Sequence, residues 1–221
     1  EVQHTVKLTK DYEMQATAVT QLQYFLVMGR NPSTFRKKEN CDENNYQVRF
    51  GLGLCANHPV ENVSWNDAQK FIEELNQIQN EYTYRLPTEA EREYAARGGM
   101  SSGFPYSFGF NDTNDLDNHG WYLGNSKGRT HAVALKLANP YGLYDMHGNV
   151  WEWVEDCSVL PYPPGPTNGT AVEVDGECKL RSIRGGSWRT RLSRQSITFR
   201  GRDPELQASQ IFGFRVARDM K

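Results

Sequence analysis

The sequence predicts one α+β domain spanning residues 1–221, irregular and low in regular secondary structure, and three observations carry that expectation. Capped, helix-periodic segments occur only before Gly99. Beyond Gly99 the helical period ends, and glycine, aromatic residues, Asn and Asp take over. No linker, internal repeat or low-complexity tract divides the 221 residues, a length that suits one large domain or two small ones.

The helices come first. In "TQLQYFLVMGRNPSTF", Thr20 and Gln23 form a capping box and Gly29 closes the C-terminus. In "SWNDAQKFIEELNQIQN", Ser64 is the N-cap, and Ala68, Phe71, Ile72, Leu75 and Ile78 fall on one stripe that faces a core. In "RLPTEAEREYAARGG", Thr88 and Glu91 form a second capping box, and Gly98–Gly99 stop the helix. Short strands are expected at Arg181–Arg184 and Phe212–Ala217. The segment Ser158–Lys179, rich in Pro, Gly and Thr, reads as a surface excursion.

Composition narrows the function. With 12% aromatic residues and 19 glycines, a loop-rich domain stitched by large rings is favoured over a helical bundle. A formal net charge of -2 offers no basic surface of the kind nucleic acid selects. No apolar run reaches the length of a membrane span. The chain starts at Glu1 without a signal peptide, so any targeting segment is expected to lie outside it.

Cys41, Cys55, Cys157 and Cys178 form no CxxC pair, which argues against zinc. Their spacing allows two local disulfides, Cys41–Cys55 and Cys157–Cys178, each closing a short irregular loop. That pairing points to a periplasmic or secreted protein; four reduced cysteines in a cytosolic protein are the alternative. Asn62, Asn111 and Asn168 head N-x-S/T tripeptides, which add little on their own.

The common catalytic signatures are missing. There is no HExxH, GxSxG elbow or Walker loop, and "GLGL" at Gly51 is a weak glycine pattern. His4, His58, His119, His131 and His147 are scattered and read as loop or hydrogen-bonding histidines. Glu73–Glu74 and Glu89/Glu91 lie on expected helix surfaces, as solvated or capping groups.

Five ordered motifs do carry a pattern: "VTQLQYFLVMGRNPSTF" (19–35), "HPVENVSWNDAQKF" (58–71), "RLPTEAEREYAARGG" (85–99), "NPYGLYDMHGNVWEW" (139–153) and "RGGSW…GFRVAR" (184–218). Together they resemble the formylglycine-generating enzyme, or sulfatase-modifying factor, family across nearly the whole chain. The resemblance implies a C-type-lectin-like fold. It also implies that "GLYDMHGNVWEW" wraps a structural calcium, with Asp145, the Gly148 and Val150 carbonyls, and Glu152 as ligands. Calcium takes carboxylate and carbonyl oxygens, and Gly148 permits the tight turn. The alternative is that Asp145 and Glu152 cap turns while Trp151 and Trp153 pack. No second ion is expected, because the segment 124–135 is short.

The active enzymes of that family hold copper on two cysteines that follow "GGS". Counted from Gly185–Gly186–Ser187, those positions here are Thr190 and Gln195, and residues 179–221 contain no cysteine. Thr and Gln supply no thiolate, the soft ligand that Cu(I) selects, so no copper and no formylglycine formation are expected. The resemblance places Trp151 and Ser187 in a pocket. Around them the sequence sets Trp188, Arg189, Thr190, Arg191, Arg194, Gln195, Arg200 and Arg202. Guanidinium forks grip carboxylate, phosphate and sulfate and stack on rings, so an anionic or aromatic small molecule, peptide, glycan or partner protein is the expected ligand. A solvated basic face, with Arg200 and Arg202 paired to Asp203 and Glu205, is the plain alternative. Two functions compete: a non-catalytic binding module, which loss of both thiols favours, and a divergent oxidoreductase or small-molecule-modifying enzyme.

Overall fold

The computed structural model describes residues 4–101, 103–109, 113–159 and 166–220. Asn111 and residues 160–165 of the proline-rich excursion lie outside that set.

The three expected helices form where their caps place them. α1 (Gln21–Met28) starts at Thr20, whose side chain accepts from the Gln23 amide while Gln23 reaches back to the Thr20 amide. It ends at Gly29, at φ 67°. α2 (Trp65–Ile78) and α3 (Glu89–Arg97) carry capping boxes from Ser64 to Asp67 and from Thr88 to Glu91. The apolar stripe of α2 buries Ala68, Phe71 and Ile72, but it runs out before Ile78, which is exposed. A short helix that the sequence did not announce, α4, covers Thr113–His119.

Among the described residues, nine strands build three small sheets. β1 (Tyr12–Met14), β9 (Ala217–Asp219) and β4 (Tyr84–Arg85) form an antiparallel set that ties the two ends of the chain together. β2 (Tyr46–Arg49) and β3 (Leu52–Cys55) form a hairpin. The third sheet has the order β7-β6-β5-β8, from β5 (Trp151–Cys157), β6 (Arg181–Arg184), β7 (Arg200–Asp203) and β8 (Phe212–Phe214). β6 matches the expected strand, whereas the expected run Phe212–Ala217 divides into β8 and the start of β9. β5 pairs antiparallel with β6 and parallel with β8.

This architecture is the α+β domain of low regular content that the sequence predicts. Its main core joins Tyr24, Phe71, Leu86, Trp151, Trp153, Phe212 and Phe214 from α1, α2, the segment before α3, β5 and β8. Tyr24 stacks on Phe71 at 5.5 Å, and Phe71 meets Phe214 edge-on at 5.2 Å. Both local disulfides are present, Cys41–Cys55 and Cys157–Cys178. The first ties the loop after α1 to β3; the second ties the end of β5 to the segment before β6.

Candidate functional site

The turn after β6 is built from Gly185 and Gly186, at φ 94° and 77°. A Cβ on Gly186 would lie 2.2 Å from Gln195 Oε1, so only glycine fits beneath that side chain. Ser187 follows, fully buried, with its Oγ 2.9 Å from Thr190 Oγ1. The Gln195 side-chain amide donates to the Ser187 carbonyl at 3.1 Å. Thr190 and Gln195 are therefore neighbours, as the two copper-binding positions should be. They are also buried and hydrogen-bonded into one knot. A hydroxyl and an amide do not suit Cu(I), and no thiol is near: all four cysteines are in disulfides.

Several residues expected in a ligand pocket are inside this knot or the core instead. Trp151 belongs to the main core and packs on Phe199 at 5.9 Å. Trp188 is buried, and its indole N–H donates to the Gln210 carbonyl at 3.0 Å. Arg200 pairs with Glu89 on α3 at 2.6 Å, instead of with the Asp203 and Glu205 partners considered from sequence. Glu205 takes Arg181 at 3.7 Å.

The remaining arginines are where a ligand could reach them. Arg189, Arg191 and Arg194 are exposed. None has an acidic partner among the described residues. Arg194 lies over the Phe199 ring at 5.6 Å.

A second basic segment adjoins them. Phe35, which precedes the exposed Arg36, Lys37 and Lys38, meets Trp188, which precedes Arg189, edge-on at 5.3 Å. A groove of about 420 Å³ runs along that segment, between Arg36, Lys37, Lys38 and Glu39 and the hairpin residues Tyr46 and Leu52. Sequence reasoning missed this half of the surface. Three consecutive cations in "FRKKEN" were its signal, and nothing local links them to residue 189.

The loop 145–152 has the turns an ion-binding loop needs. Asp145, Gly148 and Asn149 sit at φ 55°, 117° and 63°. A Cβ on Gly148 would lie 2.1 Å from the Trp121 carbonyl oxygen, so glycine is required. The charges, however, do not suit calcium. Glu152 is buried between two guanidinium groups. Arg92 Nε donates to its Oε2 at 2.6 Å, Arg215 Nε to the same oxygen at 2.9 Å, and Arg215 Nη2 to Oε1 at 2.7 Å. Burial pushes the Glu152 carboxyl up, but Arg215 and Arg92 outweigh it and hold the group below its ordinary range. Asp145 is also buried, which pushes its carboxyl up to about 6; its Oδ2 accepts from the Ala134 amide at 3.0 Å and its Oδ1 has no partner. Glu152 already faces two guanidinium groups, so a divalent ion beside it would meet a carboxylate that is already paired. Among the described residues, no three His, Cys, Asp or Glu side chains gather as a metal-binding group.

Comparison with known proteins places the chain among its relatives. The chain is 28% identical to the chaperone protein LppX of Paenibacillus barcinonensis, over 94% of this chain and 80% of that one. It is 34% identical to the formylglycine-generating enzyme of Streptomyces coelicolor, over 74% of this chain but only 53% of the enzyme, so it spans about half of that relative's length. Among solved structures, Treponema denticola variable protein 1 superposes with a TM-score of 0.78 at 29% identity, covering 95% of this chain and 84% of that one. The family model described as the sulfatase-modifying factor enzyme 1-like domain matches residues 1–220. With its capped helices, its Gly185–Gly186 turn and its 139–153 motif in place, the chain belongs to the sulfatase-modifying factor family.

Proposed function

We propose that this protein is a non-catalytic binding module that takes an acidic segment of a partner protein on the basic surface of Arg189, Arg191 and Arg194. The observation that carries the reading is the contrast within one turn. Where a copper-bearing enzyme needs two thiols, Thr190 and Gln195 are buried and hydrogen-bonded to Ser187, while the arginines interleaved with them project outward. Arg36, Lys37 and Lys38, joined to that turn through Phe35 and Trp188, extend the surface. Guanidinium forks suit carboxylates in particular. A partner protein is preferred over a small molecule or glycan because a relative matched over 80% of its length is named a chaperone.

The two disulfides support an oxidising, extracytoplasmic location. No helix among the described residues is long and apolar enough to cross a membrane. A structural calcium is not part of this reading, for the charge reasons given above.

Incubation with Cu(I) and a cysteine-containing sulfatase peptide should yield no aldehyde; turnover above background would overturn the non-catalytic reading. Binding to an immobilised acidic peptide should weaken steeply as salt rises. Equal or tighter binding to a sulfated glycan would move the ligand from protein to carbohydrate.

A further inference from the structure

We infer that Arg92 and Arg215 together take the place of a divalent cation inside the 145–152 loop, so that the loop is organised by the protein's own charges and does not need calcium. The Glu152 carboxylate and the carbonyls of Met146 and Tyr144 are oxygens of the kinds calcium selects. They are aimed at N–H donors instead. Besides Glu152, Arg92 Nη2 reaches the Met146 carbonyl at 3.1 Å, and Arg215 Nη2 reaches the Tyr144 carbonyl at 2.9 Å. Arg215 Nη1 extends the grip to the Gln15 carbonyl at 3.1 Å. The two guanidinium groups thus clamp both ends of the loop, residues 144–146 and 152, and tie them to α3 and to the first residues of the fold.

Position and burial make the substitution specific. Arg92 comes from the inner face of α3 and Arg215 from the residue after β8; both are fully enclosed, as is Glu152. Buried ions are retained only where paired and hydrogen-bonded, and here each guanidinium has a carboxylate and at least one carbonyl. The pair of positive charges equals that of one calcium ion. It matches the formal charge of Glu152 and Asp145 together, and Glu152 receives the direct bonds. Of the expected side-chain ligands, Asp145 Oδ1 alone has no hydrogen-bond partner, while both Glu152 oxygens are taken by guanidinium groups.

The test is thermal unfolding with a chelator, with added calcium and with added magnesium, together with elemental analysis of the purified protein. The wild-type Tm should be the same in all three conditions, with no stoichiometric calcium bound. Arg92→Met removes one positive charge and one of the two donors to Glu152 Oε2, so its Tm should fall in chelator and be partly restored by calcium but not by magnesium. Arg92→Lys keeps a charge without the fork; it should lose some stability yet stay indifferent to calcium, and it serves if Arg92→Met does not fold. A wild-type Tm that drops on chelation, or one calcium per chain, would overturn the inference. So would a folded Arg92→Met protein that ignores calcium, or an Arg92→Lys protein that responds to it.

Discussion

At the scale of single residues, the most consequential side chain is Arg215. It holds both oxygens of the buried Glu152 and the carbonyls of Gln15, Ala16 and Tyr144. Removing one member of a buried ion cluster leaves the others uncompensated, which typically costs about 3–5 kcal/mol. Arg215→Met should destabilise the protein by roughly that amount in urea unfolding. A loss no larger than that of an exposed arginine would mean Arg92 alone balances Glu152. Gln195 is a smaller case of the same kind. Gln195→Ala leaves the Ser187 carbonyl without its side-chain donor and opens space above Gly186, so a loss of about 1–3 kcal/mol is expected by the same assay. An unchanged midpoint would show that water replaces the amide.

At the scale of elements, the helices were legible because their signals are local. Thr20, Ser64 and Thr88 each accept the amide three residues on, as their sequence windows foretold. Thr88 does more, since its hydroxyl also donates to the Gly169 carbonyl at 2.9 Å and so pins the excursion after β5 to the start of α3. Thr88→Ala should therefore cost about 1–2 kcal/mol, and Thr88→Ser should recover most of it. If Ser recovers nothing, the methyl group rather than the hydroxyl matters.

β5 was not legible. Nearly every residue of WEWVEDC is buried, on both faces, so the alternation that marks a half-exposed strand is absent. The same burial explains the calcium expectation. Glu152 looks like an ion ligand within its own loop, and only the fold brings Arg92, 60 residues earlier, and Arg215, 63 residues later, against it. The disulfides were readable because both pairs are close in sequence, with separations of 14 and 21 residues. The groove beside Lys37 was not, because it depends on how the hairpin packs.

At the scale of the whole molecule, two buried carboxyls set a pH dependence. Burial pushes Glu61 up to about 8; burial, with Glu89 close by, pushes Asp156 up to about 7. Raised carboxyl values mean the folded chain holds protons that the unfolded chain has released. Their contribution to stability is complete below the unfolded values near 4 and is lost as pH rises through about 7 to 8. Between about pH 6.5 and about pH 8 the Tm should fall, by an amount corresponding to a few kcal/mol, and it should level off above that. Glu61→Gln should flatten the fall. A Tm that rises over this interval would mean these groups are ionised in the fold.

The same scale holds the functional claim, because the proposed basic surface draws on a turn near residue 190 and a segment near residue 37. Isothermal titration with an acidic peptide, on the wild type and on the triple variant Arg189→Ala, Arg191→Ala, Arg194→Ala, tests it most directly. The account predicts that the triple variant binds at least about tenfold more weakly, a difference of about 1.4 kcal/mol. It also predicts a Tm close to that of the wild type, since all three side chains are exposed. Unchanged affinity, or affinity lost only together with the fold, would contradict it.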